Sequence, residues 1–151
     1  MEHQAASHTL TGFPDAATAF VSALEENRRR IAERAGLSAT ELRALFHVAQ
    51  VVSITPKDLA AYLGMTTGAV TAISRRLVET DHLQRIDHPA DRRSLYLELS
   101  SHGHEVMTEI HRDFKAMLEE STGGLSDDEL ERFTDALRTV SGEVRARLRR
   151  S

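Results

Sequence analysis

Apolar residues recur every three or four positions along most of this chain, which is the spacing of amphipathic helices. The first such segment begins near Pro14 and ends near Gly36. The second follows Ser38, and Glu41 stands three residues after that serine, as in a capping box. Two shorter helical segments each follow a threonine, a residue typical of N-caps: 56–63 after Thr55 and 67–80 after Thr66.

The pattern changes to strand-like alternation between residues 83 and 99. The stretches LQRID and SLYLEL are separated by HPADRR, whose proline and aspartate are turn residues. Helical periodicity then returns in two long segments on either side of Gly123-Gly124, and Ser126 can cap the second. The predicted fold is mainly α with a small β-hairpin wing: a winged helix-turn-helix domain flanked by long helices.

This order of elements divides the chain into three predicted parts. Residues 1–12 show no periodicity and are predicted to be flexible. Residues 37–99 form the predicted winged helix-turn-helix domain, and residues 13–36 with 100–151 form a helical dimerisation region. The last helix carries a long apolar stripe: Leu130, Phe133, Leu137, Val140, Val144 and Leu148. This stripe is longer than one small domain needs, which predicts a homodimer.

The helix predicted at 67–80 has an unusual outer face. Val70, Ile73 and Leu77 define its inward side, whereas small and hydroxyl-bearing residues and one arginine lie opposite. Its glycine costs roughly 1 kcal/mol relative to alanine. In a helix-turn-helix the second helix lies in the major groove, where small residues allow a close approach. We therefore predict that seven residues contact DNA: Thr66, Thr67, Gly68, Thr71, Ala72, Arg75 and Arg76. Of these, Arg76 is predicted to contact a flanking phosphate.

The predicted hairpin tip is the second candidate DNA contact. Arg92 and Arg93 can reach into the adjacent minor groove, where a narrow A/T segment concentrates negative potential. Asp91 beside them cannot favour DNA directly, so we predict that it accepts a hydrogen bond from an arginine and holds the tip in shape. Surface arginines are also compatible with plain solvation. The preceding helix favours the DNA-binding interpretation.

Charge and composition permit this interpretation. The formal net charge is −4, but residues 55–93 hold six Lys and Arg against five Asp and Glu, so this segment is mildly basic. The chain has no cysteine, which excludes thiol-based redox sensing. It shows no apolar run near the ~20 residues that a membrane helix needs and no signal-peptide pattern at its start. We expect a cytoplasmic protein without membrane contact.

Catalytic and metal chemistry find little support. No nucleophile motif or glycine-rich phosphate loop is present, so we do not predict an enzyme or a cofactor. His102, His104 and His111 lack the i, i+3 or i, i+4 spacing of helical metal ligands, and no metal site is predicted. The main alternative function is a winged-helix protein-interaction module that does not bind DNA. His82 and His88 border the predicted DNA face and suggest tighter binding at mildly acidic pH.

Three stretches resemble the MarR (multiple antibiotic resistance regulator) family: DLAAYLGMTTGAVT, the wing DHPADRRS, and LSSHG at the entry to the next helix. The resemblance covers the whole chain in architecture, and its specific motifs lie within residues 59–103. The groove-contacting helix of the family corresponds to residues 66–78 and its wing arginine to Arg92 or Arg93. Thr67 stands where many members carry a basic residue, and Ser74 replaces a bulky apolar residue.

The resemblance implies an obligate homodimer that binds pseudo-palindromic promoter DNA and is commonly released by a small ligand. The chain is thus expected to be a ligand-responsive repressor. A ligand is expected to lie between the dimerisation helices and the winged domain, and the sequence does not identify the effector. Four residues could form the apolar walls of this site, although each is an equally good core residue: Phe20, Leu24, Phe46 and Phe114. Arg43 or His47 could supply a polar group.

Overall fold

A computed structural model describes residues 8–91 and 93–150 of the 151-residue chain. The predicted mainly α fold with a small wing is confirmed. The elements are α1 (Phe13–Arg34), α2 (Ala39–Val51), β1 (Ser53–Ile54), α3 (Pro56–Leu63), α4 (Thr67–Glu79), β2 (Leu83–Asp87), β3 (Leu95–Leu99), α5 (Ser101–Ser121) and α6 (Asp127–Leu148). Residues 1–7, most of the segment predicted to be flexible, lie outside the described residues.

Local capping chemistry places the helix boundaries close to the predicted ones. The Ser38 hydroxyl accepts a hydrogen bond from the Glu41 amide at 3.1 Å, and the Glu41 carboxylate accepts one from the Ser38 amide at 2.8 Å. This is the predicted capping box, and α6 has another at Ser126. Gly64 ends α3 in the left-handed region at φ 66°, which glycine adopts without steric cost.

Three antiparallel strands form one sheet in the order β1-β3-β2. The two predicted strands form a hairpin that pairs Leu83 with Leu99 and Asp87 with Leu95. Strand β1 was not predicted, because two residues are too few to show a period. It follows Val52, whose φ of 70° is strained for a β-branched residue.

The described residues divide into two units. The first runs through Thr108, and the second from Glu109. Within the first unit, α2, the two short helices and the hairpin share a core, whose largest fully buried side chains are Leu42, Leu45, Val48, Leu59, Val70, Leu77, Leu83 and Leu97. The predicted assignment of α1 to a dimerisation region with α5 and α6 stays a prediction. Among the described residues, no helix combines the length and hydropathy that a membrane span requires.

A clasp joins the turn after α4 to the start of α5. The Ser100 hydroxyl donates to the Asp81 carbonyl and accepts from the Gly103 amide at 2.9 Å. A Cβ at Gly103 would lie 2.0 Å from the His82 carbonyl oxygen, so only glycine fits there. This contact explains the glycine of the LSSHG stretch.

Candidate nucleic-acid interface

Helix α4 begins with a threonine cap. The Thr66 hydroxyl accepts a hydrogen bond from the Ala69 amide at 3.2 Å, which satisfies one of the free donors of the first turn. Thr66 is exposed, and its hydroxyl oxygen can accept a further hydrogen bond. The cap fixes the direction in which the N-terminus of α4 points, and this end is the one that a helix-turn-helix presents to base edges.

The inner side of α4 is anchored in the core of the first unit. Val70 and Leu77 are fully buried, and Ile73 is half-buried. Ser74, where the resembled family has a bulky apolar residue, is also buried. Its hydroxyl donates to the Val70 carbonyl at 2.7 Å, so the polar group is satisfied within the helix.

The opposite side of α4 is exposed to solvent. Four of the predicted contact residues are exposed together on it: Gly68, Thr71, Ala72 and Arg75. Thr67, in the first turn, is exposed beside them. The Thr71 hydroxyl donates to the Thr67 carbonyl at 2.8 Å, so its oxygen can still accept a hydrogen bond from outside. Beyond the adjoining backbone of α4, a Cβ added at Gly68 would meet no atom of the described residues within 4 Å. The fold of the first unit therefore does not require a glycine at this position.

Arg76, the neighbour of Arg75, has partners within the protein. Its Nε lies 2.6 Å from a Glu41 carboxylate oxygen, and one terminal nitrogen donates to the Gly36 carbonyl at 3.3 Å. The residue predicted to contact a flanking phosphate is thus bound to the first turn of α2 and to the turn that precedes it. Periodicity could not reveal this contact, because Glu41 lies far from Arg76 in the sequence.

The wing tip is held by Asp91. Its carboxylate accepts hydrogen bonds from the Arg93 backbone amide at 2.9 Å and from the Ser94 hydroxyl at 3.1 Å. These two hydrogen bonds lower the pKa of Asp91 below its ordinary value, and the bond from the Arg93 amide has the larger effect. The arginine contribution comes from the backbone, so the guanidinium is left for other contacts. Arg93 is exposed, and Arg92 lies outside the described residues.

The structure corrects one of the two histidine assignments. His82 is buried and bonds through Nδ1 to the Thr80 hydroxyl at 2.8 Å, so it does not border an open face. Burial, and then the nearby His102, lower the pKa of His82 below its ordinary 6.5. His88 does lie at the wing, where its ring stacks on Tyr96 and its Nδ1 accepts the Ala90 amide at 3.1 Å.

A basic groove of about 410 Å³ lies between α1 and the first turns of α2. Three arginines line it with one acid and two small residues: Arg28, Arg29, Arg43, Glu25, Ala39 and Thr40. His47, the other predicted polar group, instead stacks on Tyr62 with ring centroids 3.5 Å apart. In the described part of the chain, no three His, Asp or Glu side chains come together as metal ligands would.

Comparison with known proteins gives one consistent result. A profile described as the MarR family matches residues 35–94. The transcriptional repressor MprA of Escherichia coli K12 is 31% identical over 121 residues, which cover 77% of this chain and 69% of that protein. The multiple antibiotic resistance protein MarR of the same strain is 27% identical over 105 residues, covering 69% of this chain and 73% of that protein.

Solved structures share the fold at lower identity. The transcriptional regulator Tm0710 from Thermotoga maritima superposes with a TM-score of 0.73 at 21% identity, covering 90% of this chain and 96% of its own. A mutant MarR from E. coli in complex with operator DNA gives a TM-score of 0.58 at 21% identity, covering 88% and 99%. These structures support the same arrangement of helices and wing.

Proposed function

Because this chain belongs to the MarR family, whose members include the repressor MprA, we propose that it represses transcription by binding double-stranded promoter DNA. It is a regulator, and we assign it no catalytic role or cofactor. Its place of action would be the cytoplasm, where promoter DNA is accessible.

One observation carries this proposal: the outer face of α4 is exposed, small and able to form hydrogen bonds. Thr67, Thr71 and Arg75 supply hydroxyls, methyl groups and a guanidinium for bases and phosphates. Gly68 and Ala72 keep the helix surface low, so that the backbone can lie deep in a groove about 12 Å wide. Thr66 would lie at the same end, beside the free amides of the first turn, which attract a phosphate.

The wing would add a second contact in the neighbouring minor groove. Arg93 is exposed at the tip, and Arg92 precedes it in the sequence. Asp91 fixes the turn through the Arg93 amide and the Ser94 hydroxyl, and would so present the Arg93 side chain. A guanidinium at this position can enter a narrow, electronegative minor groove.

The functional unit would be a homodimer. The apolar stripe of α6 has no buried residue, and Phe133, Val144 and Leu148 are among its exposed members. A contiguous apolar stripe of this kind marks an interaction surface. Two copies of α4, related by a two-fold axis, would read half-sites about 34–36 Å apart on a pseudo-palindrome.

The basic groove between α1 and α2 is the site that we propose for a small-molecule effector. Arg28, Arg29 and Arg43 would favour an anion over a neutral or cationic ligand. Glu25 is the only acid in the lining.

Selection of bound sequences from random duplex DNA, followed by gel shifts, tests the function. We expect a pseudo-palindromic consensus and an affinity that falls steeply with salt. Ala72→Glu should abolish the shift, because it places a carboxylate on the outer face of α4. Ala116→Glu makes the same change in α5 and should leave the shift intact. Failure of the wild-type protein to bind any duplex at low salt would instead favour the protein-interaction module.

A further inference from the structure

Arg76 and Glu41 link the helix proposed to read DNA to the turn between α1 and α2. Glu41 uses both carboxylate oxygens: one accepts the Ser38 amide at 2.8 Å, and the other lies 2.6 Å from Arg76 Nε. Arg76 also donates to the Gly36 carbonyl at 3.3 Å. Arg76 of α4, Glu41 of α2, and Gly36 and Ser38 of the turn between α1 and α2 thus form one hydrogen-bonded cluster, called here the Arg76 clamp.

Burial separates the roles of the two charged groups. The Glu41 side chain is only 6% exposed, so it cannot reach DNA, and a carboxylate at such a site requires its partners. The Arg76 side chain is 57% exposed, and sequence position alone would make it a phosphate contact. Its Nε and one terminal nitrogen are nevertheless directed at the protein. This geometry fits a residue that orients α4.

We infer that Arg76 is a positioning residue: through Glu41 and Gly36 it fixes the angle at which α4 enters the major groove. The inference rests on the proposed DNA-binding function and deepens it. A contact to phosphate raises affinity for every sequence, whereas a fixed helix angle aligns side chains with particular base edges. Loss of the clamp should therefore reduce discrimination between operator and unrelated DNA more than it reduces the electrostatic part of binding.

Arg76→Lys separates these roles because it keeps the charge but lacks the fork that bonds Glu41 and Gly36 together. Glu41→Gln provides an independent variant, since it alters the clamp from the side that cannot touch DNA. Arg75→Gln is the matched control: an adjacent, exposed arginine whose charge is proposed to act on DNA directly. Circular dichroism melting of each variant shows that it is folded at the assay temperature.

The measurement is fluorescence anisotropy on the selected operator and on a scrambled duplex, between about 50 and 200 mM salt. For Arg76→Lys and for Glu41→Gln we expect the operator-to-scramble ratio to fall roughly tenfold, with an unchanged salt slope on scrambled DNA. Arg75→Gln should lower that slope by about 1. Combining Arg76→Lys with Glu41→Gln should cost little more than either change alone, because both break one cluster.

The inference is overturned if Glu41→Gln and Arg76→Lys both keep the wild-type ratio, or if only substitutions at Arg76 have an effect and that effect is on the salt slope. Either result would return Arg76 to the role of a phosphate contact. Failure of the proposed function looks different, because the wild-type protein itself would then not distinguish operator from scrambled duplex.

Discussion

Gly68 lies in the first turn of α4, and among the described residues no atom outside the adjoining helix backbone lies within 4 Å of a Cβ added there. We expect Gly68→Ala to raise the free energy of unfolding by about 0.5–1 kcal/mol, because alanine restricts the unfolded chain and favours the helix. The same methyl group would project into the proposed groove contact, so affinity for operator DNA should fall. Urea denaturation and gel shifts measure the two effects separately.

Gly142 provides the control for that change. It lies in α6, and a Cβ there also meets no atom of the described part of the chain within 4 Å, apart from the adjoining helix backbone. Gly142→Ala should give a similar gain in stability without any change in DNA affinity. Equal losses of affinity in both variants would show that α4 has no special need for a glycine.

The lowered pKa of His82 predicts that stability depends on pH between neutral and mildly acidic conditions. Its pKa is lowered mainly by burial and by His102, against the opposing charges of Asp81 and Glu41. Below the ordinary value of 6.5 the unfolded chain binds the proton more readily than the folded protein does. The stabilisation from neutral His82 is therefore complete above that pH and declines as the pH falls.

Urea midpoints at about pH 7.5 and about pH 5.5 test this dependence. His82→Asn, which can keep the hydrogen bond to Thr80, should flatten the difference in midpoint between the two conditions. His104→Asn, at an exposed position, should leave the wild-type difference unchanged. A difference that persists in full in His82→Asn would contradict the assignment.

At the scale of single elements, the wing can be tested with two substitutions, one that removes a positive charge and one that removes a negative charge. Both are expected to weaken operator binding. Arg93→Ala should weaken operator binding roughly tenfold and reduce the salt slope by about 1, because it removes one cationic contact. Asp91→Ala should also weaken binding, although it removes a negative charge, because the turn loses its bonds to the Arg93 amide and the Ser94 hydroxyl.

Arg85→Ala is the matched control for the wing, since it removes an exposed arginine from β2 and not from the tip. Gel shifts across a salt series measure all three variants. Unchanged affinity in Arg93→Ala would remove the wing from the mechanism. Tighter binding by Asp91→Ala would show that this residue acts only through its charge.

Local signals explain how much of the elements could be predicted. The boundaries of α3 and the capping box of α2 depend on residues within four positions of one another, so the sequence displays them directly. Strand β1 is two residues long and exists because β3 pairs with it. Its existence depends on tertiary contact, which hydrophobic period does not encode.

The candidate site shows the same division. The outer face of α4 follows from helical geometry, and the structure exposes the residues that this geometry predicts. The contact of Arg76 with Glu41 and the burial of His82 both join separate elements. A single sequence gives no register between α4 and α2, so neither could be derived from it.

At the scale of the whole molecule, the exposed stripe of α6 makes a prediction about assembly. Val144 is 52% exposed in the single chain. Val144→Asp should convert the proposed dimer to monomers at micromolar concentration, because a carboxylate would be buried without a partner at the interface. Operator affinity should fall with it, since one α4 would then read one half-site.

Thr139→Asp is the control, as it introduces a similar carboxylate at an exposed position on another side of α6. Sedimentation velocity distinguishes the two species. A wild-type protein that sediments as a monomer, or a dimer that survives Val144→Asp, would exclude this stripe as the interface.

The approach of position 103 to the His82 carbonyl has a consequence for mutational tolerance. The turn after α4 and the first turn of α5 meet with room for a hydrogen atom and nothing larger, since a Cβ would come within 2.0 Å of oxygen. A library of all twenty amino acids at this codon should return glycine alone among well-folded clones. The flanking exposed histidines, His102 and His104, should accept many replacements.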